Sequence, residues 1–85
     1  MEKYSLEIRK SVEKDLKRIS RQDQIRILTK IVALVEDPRP PGCKKLSGQE
    51  RYRLRQGNYR ILYEIRDERL IVTVVKVGNR RDVYD

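Results

Sequence analysis

Histidine is absent from the 85 residues, tryptophan and phenylalanine are absent too, and cysteine and methionine occur once each. Without histidine, no mechanism that passes protons between two imidazoles can operate. Cys43 has no partner for an internal disulfide, which fits a reducing compartment. With no imidazole to activate it, Cys43 reads as a small residue beside a loop. No apolar run approaches the roughly 18 residues of a membrane span. The opening MEKYSLEIRK also lacks the apolar core of a signal peptide, so the expected location is the cytoplasm, with no membrane partner. No internal repeat or low-complexity tract appears.

Acidic residues are the scarcer charge: 13 Asp and Glu stand against 21 Lys and Arg, a net charge of +8. That field on a small body draws polyanions and speeds their association, so nucleic acid or an acidic protein is the expected partner. Apolar residues make up 38% of the chain and recur at regular spacings, which suits one folded domain over residues 1–85 with a small core,.

Tyr4, Leu6 and Ile8 alternate with Ser5 and Glu7, the period of a half-buried strand. From Ser11 to Ile19, Val12, Leu16 and Ile19 fall at helical spacing, with acids early and bases late. Ser20 followed by Asp23 reads as a helix cap. The stripe Ile25, Leu28, Ile31, Val32 and Val35 predicts a second helix that Pro38 stops. EDPRPPGCKKLSGQE is a loop by its Pro and Gly content, with a short extended piece around Lys44 to Leu46. Strands are predicted over Arg51–Gln56, Tyr59–Arg66 and Arg69–Val77. The order β-α-α-β-β-β predicts an α+β fold, with two helices on one face of an antiparallel sheet.

The stretch RYRLRQGNYRILYEI sets Arg51, Arg53, Arg55 and Arg60 close together, although like charges on neighbouring strand positions repel. With Gly57 and Asn58 as the loop of a two-residue hairpin, Gln56 faces Tyr59, Arg55 faces Arg60 and Arg53 faces Leu62. Alternation then puts the four arginines on one face. Tyr52, Leu54, Tyr59, Ile61, Tyr63 and Ile65 share the other, beneath the helices. A basic strand face can simply be solvated protection against aggregation. Against that stand the fit of the guanidinium fork to phosphate oxygens and the single acid, Glu64, on that face of the hairpin. Lys76 stands near the end of the last strand and Arg80, Arg81 and Tyr84 follow it, where a tyrosine beside arginines suits stacking on an unpaired base or, equally, plugging a small core.

KKLSGQERYRLRQGNYRILYEI, followed by a β-rich strand ending in KVGNRRDVY, resembles the RelE branch of the RelE/ParE toxin superfamily of type II toxin–antitoxin systems. The likeness runs from the first strand to Tyr84 and is strongest after Lys44. It rests on L-x-G, Y-R-L-R, G-x-Y-R and V-G-x-R-x-x-V-Y in that order. It implies a microbial RNase-like fold and a ribosome-dependent, metal-independent endoribonuclease without a cofactor, which cuts mRNA in the A site. It also implies neutralisation by a RelB-like, acidic antitoxin in a hetero-oligomeric complex. The implied catalytic positions are Arg53, Arg55, Arg60, Arg80 and Tyr84. Arg51 would lie at the edge of the site, and Lys44, Lys45 and Arg81 would contact RNA.

Attack of the 2′-hydroxyl on the adjacent phosphorus needs a base, an acid and charge stabilisation. Arg60 with Arg53 and Arg55 would stabilise the pentavalent phosphate, Arg80 would sit near the leaving oxygen, and Tyr84 would stack on or orient the nucleotide. Two strand positions held by lysine in founding members of the branch are arginines here, and arginine keeps its proton. Candidates for the base are Tyr84, Glu50 and a ribosomal RNA group. Asn79 stands where relatives often carry histidine. Two rival functions remain: inhibition of DNA gyrase, as in the ParE branch, whose members generally lack the full Arg/Tyr set, and RNA binding without cleavage.

Overall fold

The computed structural model describes residues 3–46 and 50–79. In chain order these form β1 (Ser5–Ile8), α1 (Lys10–Lys17), α2 (Arg21–Ala33), β2 (Lys44–Lys45), β3 (Arg51–Gln56), β4 (Tyr59–Arg66) and β5 (Ile71–Asn79). The five strands make one sheet in the order β1-β5-β4-β3-β2. From β2 to β5 every pairing is antiparallel, as tight links between consecutive strands dictate,. β1 lies against β5 in parallel, Ser5 opposite Ile71 and Ile8 opposite Val74. No tight turn joins these two strands, so nothing local sets their direction, and the sheet is mixed. Among the described residues no helix is long and apolar enough to cross a membrane.

The helices meet end to end through a glutamine. The Gln24 side-chain amide donates to the carbonyls of Leu16 and Ile19, at and just past the end of α1, sharing the Leu16 carbonyl with the Ile19 N–H,. Ser20 caps α2, its hydroxyl oxygen accepting the Asp23 N–H at 3.4 Å,. Fixing Gln24 against α1 sets the rotation of α2, because Ile27, Ile31 and Leu34 follow it along the same face. All three are fully buried. The stripe expected from the sequence is therefore corrected: Ile31 faces the core, whereas Ile25, Leu28 and Val32 are exposed.

Beneath the helices Val12, Ile27, Ile31 and Leu34 pack on the inner sheet face with Leu54, Ile61, Tyr63, Val72, Val74 and Val77. A bulge separates Val74 from Val77. Leu62 opposes Lys76 while Tyr63 opposes Val74, so Val75 is an extra residue on β5,. Val75 consequently packs with Leu46 and Leu62, apart from the main core.

The proline-bearing loop after α2 is pinned from both sides. Tyr63 hydroxyl donates to the Pro38 carbonyl at 2.8 Å. The Arg39 guanidinium lies 5.2 Å from the Tyr52 ring centre and grips both carboxylate oxygens of Asp67 at 3.1 and 2.9 Å. Tyr4 hydroxyl donates to the same carboxylate at 2.6 Å. One exposed acid thus ties the loop and the chain just before β1 to the β4–β5 turn.

Candidate nucleic-acid interface

The β3–β4 hairpin has the register that counting from Gly57 predicts: Gln56 opposite Tyr59, Arg55 opposite Arg60, Arg53 opposite Leu62. Gly57 takes a φ of +59°, the left-handed value that suits glycine at the first position of a tight hairpin loop,. Alternation then sends Arg51, Arg53, Arg55 and Arg60 to the sheet face without helices, as expected. Tyr52, Leu54, Ile61, Tyr63 and Ile65 go to the core.

These arginines differ in setting. Arg55 is exposed, Arg60 is half-buried, and Arg53 is only 7% exposed. Burial, and then the charges of Arg60 and Arg55, hold the Arg53 guanidinium below the usual arginine range,. The three cations therefore repel through a partly desolvated surface, an arrangement that an arriving anion relieves. Gly78 lies opposite Arg60 on the neighbouring strand and adds no side chain there. Lys76 opposes Leu62, and Lys44 opposes Arg53, widening the cationic area on either side of the hairpin.

Lys45, by contrast, stands opposite Tyr52, so its alternation directs it toward the other face. Its ammonium lies 3.9 Å from the Glu50 carboxylate. Arg51 is answered within the chain: its Nε donates to Glu64 Oε2 at 3.1 Å, and Arg9 approaches the other carboxylate oxygen at 3.9 Å. Arg80, Arg81 and Tyr84 lie outside the described residues.

Two features of this face escape a reading by alternation. The patch of Leu46, Leu62 and Val75 lies in the middle of it, because the bulge turns Val75 outward. The spacing Val72, Val74, Val77, a step of two and then of three, is the signal that betrays such a bulge. Arg9 is the other. It continues the parity of Glu7 past the end of β1, and reaches Glu64 on β4 across the intervening β5.

Two helices against a five-stranded mixed sheet, with an arginine-rich outer face, define a small RelE-like toxin fold. The chain belongs to the family of ParE toxins of type II toxin–antitoxin systems, parDE, whose model matches residues 6–84. An Escherichia coli protein described as a RelE-like toxin is 29% identical over 87 residues, covering 98% of this chain and 92% of that protein. The archaeal RelE–RelB complex from Pyrococcus horikoshii contains a chain that superposes with a TM-score of 0.84 at 26% identity, covering 95% of this chain and 99% of that one. The intact Escherichia coli RelBE toxin–antitoxin complex contains another, with a TM-score of 0.75 at 29% identity, covering 89% and 95%. The protein is the toxin component of a type II toxin–antitoxin system.

Proposed function

We propose that this toxin is a ribosome-dependent endoribonuclease that cuts mRNA in the A site and so stops translation in the cytoplasm. One observation carries the reading. Arg53, Arg55 and Arg60 converge on a helix-free face, with Arg53 buried and electrostatically strained by the other two.

In the cut, the 2′-hydroxyl attacks the adjacent phosphorus and the 5′-oxygen leaves. Arg60, with Arg53 and Arg55, stabilises the charge that builds on the equatorial oxygens. Arg80 attends the leaving oxygen and Tyr84 orients the nucleotide. Lys44 guides the RNA backbone from the β2 side, and Arg81 from the tail. Lys45, turned toward the other face, is left to contacts with ribosomal RNA. A guanidinium cannot take the proton of the 2′-hydroxyl. The toxin accordingly supplies charge and position, and the ribosome holds the message in line for attack. Glu50, Tyr84 and a ribosomal RNA group are the candidate bases.

The partner that silences the toxin is a cognate antitoxin of the RelB kind, acidic enough to meet a +8 surface,. Its amphipathic segment covers apolar surface and competes for Arg55, Arg60 or Arg80.

Primer extension on an mRNA carried by programmed ribosomes tests the reading. Cuts confined to the A-site codon, and lost in Arg60→Ala and Arg80→Ala, support it. Absence of cuts from folded wild-type protein overturns it. The match to the ParE family model favours one second reading, inhibition of DNA gyrase. A supercoiling assay with the same protein decides between the two.

A further inference from the structure

The basic face does not fade into solvent on its far side. Arg51 lies directly opposite Glu64 across β3 and β4, and the carboxylate is held between the guanidiniums of Arg51 and Arg9. Its side chain is 21% exposed, so the contact is partly shielded from water. Thr73 comes next on the same row, opposite Glu64 on β4 and opposite Glu7 on β1. Its hydroxyl donates to Glu7 at 3.2 Å, so a second negative charge sits beyond the first.

We propose that Glu64 is a built-in stand-in for a phosphate, which holds Arg51 and Arg9 and ends the RNA track at the row below Arg53. The proposal rests on the RNA reading above and names the residue that bounds the track. A carboxylate and a phosphate offer a guanidinium the same paired oxygens. An RNA phosphate can therefore reach Arg51 only by displacing a carboxylate that is already seated there, with Glu7 adding repulsion behind it. The backbone crosses the face over Arg55, Arg60 and Arg53 and is turned away at Glu64. Two of the cations on this face are thereby withheld from RNA, which keeps the bound length short and leaves positioning to the arginines at the hairpin end.

The test is binding of a single-stranded 12-nucleotide RNA to the isolated protein as a function of salt, where each phosphate contact adds about 0.7 to the log–log slope. Glu64→Gln keeps the shape of the side chain and removes its charge. It should bind more tightly, with a slope steeper by about 0.7 for one released arginine, or about 1.4 for two. Adding Arg51→Ala to Glu64→Gln should remove at least half of that gain. Glu13→Gln, which neutralises an exposed acid on α1, controls for net charge and should leave the slope where it was. Should Glu64→Gln fold poorly, as circular dichroism would report, Glu64→Ala gives the same readout. An unchanged slope in folded Glu64 variants, an equal gain in Glu13→Gln, or a gain that Arg51→Ala leaves undiminished overturns the proposal. The RNA reading itself fails on a different result: Arg60→Ala binding RNA as wild type does.

Discussion

Arg55 and Arg60 face each other directly across β3 and β4, two guanidinium-bearing residues where one small or acidic partner would relax the strand pair. Like charges at opposed strand positions cost about 0.2–1 kcal/mol. Arg55→Gln should therefore raise the unfolding free energy measured by urea denaturation by about a few tenths of a kcal/mol at low salt, with the gain shrinking as salt screens the pair. The same change should weaken cleavage on the ribosome. A variant that loses both stability and cleavage would remove the case that the pair is kept for function at the expense of the fold.

Much of this arrangement could be read in the sequence, because a two-residue hairpin loop fixes register by counting and alternation then fixes the faces. Gly57 and Asn58 were enough to pair Arg55 with Arg60 and to separate the arginines from Tyr52 and Tyr63. Other features depended on partners distant in the chain. The rotation of α2 follows from Gln24 docking on α1, which periodicity does not report, because Ile25, Leu28 and Val32 make as regular a stripe as Ile27, Ile31 and Leu34. The parallel setting of β1 and the burial of Arg53 likewise arise from long-range packing. Arg80, Arg81 and Tyr84 rest on the family resemblance and lie outside the described residues.

The rotation of α2 yields a pair of opposite expectations. Ile27 is fully buried and Val32 is 56% exposed. Ile27→Ala should cost about 2–5 kcal/mol through lost burial and the cavity left behind. Val32→Ser should stay within about 0.5 kcal/mol of wild type. Urea denaturation of the two variants measures both, and a comparable loss in each would place the wrong face of α2 against the sheet.

Asp67 supplies an acid-dependent contribution to stability. Hydrogen bonds from Arg39 and then Tyr4 lower its carboxyl from 3.8 to about 2. A depressed carboxyl pKa contributes stability above its unfolded value and loses it as the pH falls through the folded value. The contribution should thus be present above about pH 4 and gone near pH 2. Its size is small, since Asp67 is exposed and solvent screens the pair with Arg39,. Asp67→Asn should flatten this part of the stability profile and lower the thermal midpoint at neutral pH. An acid profile identical to wild type would mean that the Arg39 clamp contributes nothing measurable.

The chemistry of the site sets a last expectation, at Arg53. An arginine stays charged throughout the working pH range, so Arg53 contributes no step to the pH–rate profile of cleavage on the ribosome. A lysine at position 53 would meet the same burial and the same two guanidinium neighbours that lower Arg53. Those influences push an ammonium below its ordinary value of about 10.4. Arg53→Lys should therefore add a climb in cleavage rate at pH values below the ordinary lysine range, which then levels, beyond any climb that a base elsewhere gives wild type. Single-turnover cleavage on programmed ribosomes over that range makes the comparison. A climb confined to the lysine variant would show that the site can lower a titrating group into the range of a general base, and that arginine at this position forgoes one. Parallel profiles would mean that the proton of the 2′-hydroxyl leaves to a group elsewhere, with position 53 serving charge alone in either form.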